Sequence, residues 1–455
     1  MGYNPRVMIE AKVNKLASGL RVISVPMDGV GSVCVMALVG VGSRYEPKRL
    51  NGMSHFLEHM PFKGTAKWPT SMDLSSAVDS IGAEFNAFTS KEYTGFYVKS
   101  TAKQMEFDMD VVSDLLYAPR LKATDIAMEK GVIAEEIKMY NDMPKAKVSH
   151  VFDRLMYGDN GLGRRIDGLV KTIQAFERTD FVEWRKQWYG LDNVVVVVAG
   201  AITQNTNNQS PTTKQSRNSN DQNSKLIDLV GEYFEGKARG FGKRSGEKVL
   251  GYEAQEGIRC QVEYMKSDQA HLVLGFPALA QGHPDRYALA VLSNILGGSM
   301  SSRLFSEVRE KRGLAYYVYT DIDRYADTGC LAVAAGVDTK RISEAMKAIF
   351  GVLAGVADGG RAKITEAEVR RAQEYFAGSM VLSLEGSRSQ AQYWGLRAVL
   401  DDDVIGPDEM IRRVRAVTAA DVERVAGDVL KAGMMNLAVV GPYKDGAKLE
   451  KLLKW

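Results

Sequence analysis

The segment NGMSHFLEHMPFKGT carries His55, Glu58 and His59. Histidine is scarce, five residues in all, yet two of the five stand four positions apart. On a helix, residues i and i+4 share a face, so both imidazoles can reach one ion. Glu58, at i+3, lies on the same face beside that ion. Two neutral imidazoles suit zinc, which takes a third protein ligand and keeps a fourth position for water. Zinc lowers the pKa of that water, and a nearby carboxylate can take its proton. The competing explanation is a solvated helix face with incidental histidines.

A third ligand can be sought independently. The segment AMEKGVIAEEIKMY presents Glu129, Ile133 and Glu136 at i, i+4 and i+7, one continuous helix face. Glu135 is turned about 100° from Glu136. Two carboxylates directed inward need a positive partner, and a metal would serve. Salt-bridged surface glutamates would satisfy the same pattern, and this segment alone leaves the choice open.

Taken together, these residues resemble the pitrilysin-type zinc metallopeptidases, the H-x-x-E-H or inverzincin group, in the branch of the mitochondrial processing peptidase and its bacterial relatives. The family signature pairs H-x-x-E-H with a downstream glutamate. Here Glu136 follows His59 by 77 positions. The resemblance implies that His55, His59 and Glu136 hold zinc, that Glu58 is the general base, and that Glu135 is a neighbour. It implies a supporting role for Glu129, seven positions before Glu136, as a partner that orients a ligand. It covers the second half too, where Arg309 and Tyr316 in SEVREKRGLAY match an Arg and Tyr that bind substrate near the scissile carbonyl. Such donors stabilise a developing oxyanion. In GAEFNAFTS, Asn86 and Ala87 match an edge strand that pairs with the substrate backbone, a mode that is largely indifferent to sequence. One departure bears on the site. Pro61 directly follows the motif and should end or kink the helix there, with His59 still inside the last turn.

These residues must be positioned by a long chain. With 455 residues, it exceeds the size at which a single core stops growing, so at least two domains are expected. The two halves look alike. SMDLSSAVDSIGAEFNAFTS answers SSRLFSEVREKRGLAYYVYT, LKATDIAMEKGVIAEEI answers ITEAEVRRAQEYFAGSM, and DNVVVVVAG answers MNLAVVG, at offsets of roughly 230 to 243 residues. Strands group together and helices group together, which favours α+β domains, each an antiparallel sheet with helices packed on it. The expected division is an N-terminal metal-binding domain 1–236, a linker 237–247 rich in Gly and basic residues, and a homologous C-terminal domain 248–455 that binds substrate. The polar stretch 203–224, nearly all Asn, Gln, Ser and Thr, reads as a disordered surface insertion. In the second half, YALAVLSNILGG aligns with the motif helix and offers Ala290, Ser293 and Asn294 at the key places, so one zinc per chain is expected.

Composition narrows the function further. The 59 basic and 56 acidic side chains give a net charge of +3, with no global attraction to nucleic acid or an anionic membrane. No apolar run approaches the ~18 residues that span a bilayer. The first residues lack the apolar centre of a secretory signal, and Arg6 stands where a myristoylation signal takes Ser or Thr. The expected address is the cytoplasm. Cys34, Cys260 and Cys330 are far apart in strand-like contexts and read as core residues. The resemblance implies a zinc endopeptidase that hydrolyses unfolded peptides in a closed chamber, each chain half of a clamshell. The chain would be a homodimer, since the metal motif and the Arg/Tyr pair stand on one chain. The alternatives are a β-type catalytic subunit of a heterodimeric processing peptidase and a non-catalytic subunit like the respiratory core proteins. The second of these typically lacks the metal ligands present here.

Overall fold

The run VVVVVAG is β-branched and uncharged, which suits a strand covered on both faces. It forms the strand Val194–Gly200, buried at every position. The computed structural model describes residues 10–202, 219–248, 251–252, 255–357, 362–401 and 403–453. In the first half the strands are β1 (Lys12–Lys15), β2 (Arg21–Pro26), β3 (Ser32–Val39), β4 (Glu84–Thr89), β5 (Thr94–Thr101) and β6 (Val194–Gly200). The helices are α1 (Met53–His59), α2 (Ser71–Asp79), α3 (Met105–Tyr117), α4 (Ala123–Asp142), α5 (Pro144–Tyr157), α6 (Val170–Ala175), α7 (Arg178–Trp188) and α8 (Ser219–Lys237). The sheet runs β1-β2-β6-β3-β5-β4, with β4 at an edge.

The second half repeats the plan with β7 (Arg259–Tyr264), β8 (Gln269–Ala278), β9 (Ala315–Arg324), β10 (Gly329–Asp338) and β11 (Asn436–Gly441). Its helices are α9 (Arg286–Ser293), α10 (Ile342–Ala357), α11 (Glu366–Ser383), α12 (Ser387–Leu400), α13 (Pro407–Arg415), α14 (Ala419–Val429) and α15 (Ala447–Glu450). The order β7-β11-β8-β10-β9 matches β2-β6-β3-β5-β4 position for position. The duplication read from the sequence is therefore a duplication of topology, and the class is α+β. One detail differs from expectation. Each sheet contains a parallel pair, β2 with β6 and β7 with β11, among antiparallel neighbours. Parallel neighbours need a long crossover, and in each half the intervening strands and helices supply it.

Two compact units emerge, and both are discontinuous in sequence. The first gathers residues from 1–135, 166–248 and 380–408, and the second gathers those from 136–165, 249–379 and 409–455. In the first unit, α12 packs on β3 and β6. Its Ala391, Trp394 and Ala398 join Ile23, Met36, Leu38, Val195 and Val197 in one apolar cluster. The alternating strand residues Val22, Val33, Val35 and Val196 are equally buried, so the sheet is covered on both faces. In the second unit, α5 packs on β8 and β11 in the same manner, with Phe152 and Met156 against Val273, Cys330 and Val440. Cys34 and Cys330 are buried.

The polar stretch needs a correction. Helix α8 begins at Ser219, so its last six residues, 219–224, are helical rather than loop. Asn223 there accepts a 2.5 Å hydrogen bond from Ser24. Residues 203–218 lie outside the described set. After α8, residues 238–247 form neither helix nor strand and are held to the first unit, where the Arg244 N–H donates to Asp192 at 2.8 Å. Among the described residues, no helix is long and apolar enough to cross a membrane.

Candidate metal centre

Helix α1 opens at Gly52, whose φ of 101° lies in the left-handed region. A Cβ there would stand 3.0 Å from the Asp167 carbonyl oxygen and 3.1 Å from the Gly168 Cα, so the turn is built for glycine. The α-helix ends at His59 and passes into a 3₁₀ turn, Met60–Lys63, as Pro61 dictates. The motif thus occupies seven residues, with His55 only 9% exposed and Glu58 and His59 half-buried.

Helix α4 brings the acids. It is continuous from Ala123 to Asp142, with Glu129 and Ile133 buried, Glu136 half-buried and Glu135 exposed. One ligand atom each from His55, His59 and Glu136 lies within 4.8 Å of the others. Ligand atoms on a tetrahedral zinc with ~2.0–2.1 Å bonds stand about 3.3 Å apart, so a small side-chain closure accommodates the ion. The two imidazole centroids are 4.7 Å apart.

The chemistry of the donors also fits a metal. His59 Nδ1 lies 2.8 Å from Glu129 Oε1. A carboxylate oxygen can only accept, so Nδ1 carries the proton and Nε2 is left as the ligand atom. Burial pushes the Glu129 carboxyl up, but hydrogen bonds from His59 and Lys63 outweigh it, and the group is held below its ordinary value. Lys63 Nζ stands 2.5 Å from the other oxygen. His55 is pushed down to about 4, by burial first and by His59 second. It is therefore neutral at physiological pH, the form a ligand must take.

Two groups escape the sequence reading. Asp167, buried, favours the charged form of His55 electrostatically. Glu46, also buried, accepts the N–H groups of Gly52 and Ser54, both at 2.7 Å. Neither belongs to a helical repeat with the histidines, and no local spacing signals them.

Of the other expected residues, Asn86 and Ala87 lie on the edge strand β4, against which α1 packs. The Ala87 N–H donates to Asn86 Oδ1 at 2.8 Å. Arg309 and Tyr316 lie in the second unit. Arg309 sits in a π-helical turn, Phe305–Glu310, and donates to the Tyr316 carbonyl oxygen at 2.6 Å. Tyr316 is 73% exposed. Both line an open pocket of about 620 Å³ together with Gln269, Leu314 and Asp338.

A topologically duplicated α+β chain with a His-His-Glu cluster on its first half has the architecture of a metallopeptidase. The chain belongs to peptidase family M16. Residues 21–168 match the family model described as Insulinase (Peptidase family M16), and residues 175–376 match that described as Peptidase M16 inactive domain. A Streptomyces coelicolor protein named an uncharacterized zinc protease is 36% identical over 94% of this chain and 89% of its own length. The Bacillus subtilis uncharacterized zinc protease YmxG is 34% identical over 90% of this chain and 92% of its own. The fold is shared with a protease from Helicobacter pylori, at a TM-score of 0.84 and 23% identity over 95% of this chain and all of that one. It is shared equally with the peptidase M16 inactive domain from Pseudomonas fluorescens, at a TM-score of 0.84 and 18% identity over 96% of this chain and 98% of that one.

Proposed function

We propose that this chain is a zinc-dependent endopeptidase for unfolded peptides, with one zinc held by His55, His59 and Glu136. The observation that carries the proposal is the convergence of those three side chains, with His59 fixed in the right tautomer by Glu129. Zinc, when bound, supplies a Lewis acid that polarises the scissile carbonyl and makes water more acidic. Glu58 takes a proton from water as its oxygen adds to the carbonyl carbon. It then delivers that proton to the departing amide nitrogen, and the C–N bond breaks to leave a carboxylate and an amine. The open edge of β4 receives the peptide backbone, and Asn86 turns aside to free the Ala87 N–H. Arg309 and Tyr316 donate to the carbonyl oxygen as it gains charge. Two chains form a homodimer around a chamber that admits only flexible substrates.

The test is metal analysis together with cleavage of an unstructured fluorogenic peptide. Wild type should carry about one zinc and cleave, whereas Glu58→Gln should retain zinc and lose about 10²- to 10⁴-fold in turnover. Glu136→Gln should lose the metal and Glu135→Gln should keep it. Substantial turnover by zinc-loaded Glu58→Gln would place the base elsewhere, and the reverse behaviour of the two glutamine variants would refute the ligand set.

A further inference from the structure

We propose that Glu46 is a positioning residue for the reaction centre, fixing the start of α1 and tying that helix to the edge strand β4. The inference rests on the reading of α1 as bearer of two metal ligands and the base.

The first N–H groups of a helix have no partner within it. At α1 the cap residue is Gly52, which has no side chain to supply one. Glu46 supplies both from outside. Its Oε2 accepts the Gly52 N–H and its Oε1 the Ser54 N–H, each at 2.7 Å, and Asn51 Nδ2 donates to Oε2 at 3.2 Å. A carboxylate that receives two N–H groups on separate oxygens fixes both the height and the rotation of the first turn. His55 is the next residue after Ser54, and Glu58 and His59 follow within the same short helix. A rotation at Ser54 is therefore carried directly to the ligands. Such carboxylates at a helix start also complement its dipole.

The same segment reaches the substrate strand. The Ser43 N–H donates to Ser90 O at 3.2 Å and the Arg44 N–H to Lys91 O at 2.8 Å. Arg44 Nη1 pairs with Glu92 at 2.7 Å, both side chains being buried. Residues 90–92 lie in the turn between β4 and β5. Gly42 permits the approach, since a Cβ there would lie 2.2 Å from the Ser90 carbonyl oxygen. Thus the short segment 43–46 grips the β4–β5 turn through Ser43 and Arg44 at one end and α1 through Glu46 at the other.

Glu46→Gln tests the proposal. The amide has nearly the same volume, but its NH₂ faces a donor that the carboxylate accepted. Zinc affinity should fall about 10- to 100-fold, as is usual when a group supporting the ligands is lost. The visible spectrum of the cobalt-substituted protein should shift, and turnover should fall with KM changed less than about twofold. Asp108→Asn, which alters a buried carboxylate bonded to Ser100 instead, should leave the spectrum and the affinity unchanged. Wild-type affinity and an unchanged cobalt spectrum in Glu46→Gln would overturn the proposal, whatever the melting temperature does. Should wild type bind neither zinc nor cobalt, the metal reading fails on its own. Amide exchange at Ser54 to His59 in the metal-free protein then decides the positioning role, and equal protection in both proteins would refute it.

Discussion

Burial lifts the Glu46 carboxyl to about 7, against the pull of donors from Ser54, Gly52 and Asn51. An unperturbed glutamate titrates near about 4.3. Between those values the folded protein holds a proton that the unfolded chain has released, so stability falls as pH rises. The contribution is fully present below about pH 4 and lost by the time pH passes 7, a span worth on the order of 3 kcal/mol. Glutamine does not ionise and escapes that loss. Relative to wild type, Glu46→Gln should therefore be more stable at pH 8 than at pH 5, as measured by urea unfolding at both. An equal difference at the two pH values would mean that Glu46 ionises normally in the folded protein. The residue thus trades stability for the placement of α1. It also marks the limit of what spacing can reveal. His55, His59 and Glu136 converge because each lies on a helix face, and a period of 3.6 residues fixes those faces in advance. Glu46 and Asp167 reach the same helix across loops, whose paths no periodic pattern encodes.

At the scale of elements, α5 and α12 do the same work on different sheets. Each has 14 residues, and each meets its sheet at a glycine, Gly395 on α12 itself and, for α5, one on the sheet. In the second unit that glycine is Gly275 on β8. A Cβ at Gly275 would stand 2.3 Å from the Phe152 ring and 3.0 Å from the Cys330 sulfur. Phe152 is 3% exposed and an aromatic ring has no flexible end to move aside. Gly275→Ala should therefore cost about 1–3 kcal/mol through overpacking. Shrinking the partner with Phe152→Leu should recover part of that loss in the double variant, read by thermal unfolding. Strict additivity of the two changes would mean that they do not meet. The strands were easier to foresee than this packing. Alternating or continuous apolar runs announce β3, β6, β8 and β11, whereas the parallel pairing of β2 with β6 depends on contacts between distant segments. The start of α8 was hidden for a related reason. Residues 219–224 lack any apolar periodicity, and one contact that holds them, Ser24 with Asn223, lies 199 positions apart in sequence.

The duplication is legible in the whole sequence because both copies keep similar segments in the same order, and topology repeats strand for strand. The membership of each compact unit is less legible, because it departs from that order. Residues 1–248 contain the entire first sheet but not α12, whose Ala391, Trp394 and Ala398 belong to its core. Arg21 donates to the Ala398 carbonyl oxygen, and Ser32 and Ser387 are hydrogen-bonded at 2.9 Å. The same fragment carries α5, whose Val148, Phe152 and Met156 belong to the core of the other unit. Cut at residue 248, the chain would present two bare apolar surfaces, one missing a helix and one missing a sheet. Patches beyond a few hundred Å² drive association. The fragment 1–248 should therefore bind a hydrophobic dye and aggregate when made alone. Produced together with 249–455, it should yield a soluble 1:1 complex that recovers zinc binding, because α12 and α5 then find their own sheets. Light scattering and metal analysis of the fragment, alone and paired, read both outcomes. A monomeric 1–248 that melts cooperatively without its complement would contradict the exchange and show the first half to be a self-sufficient domain.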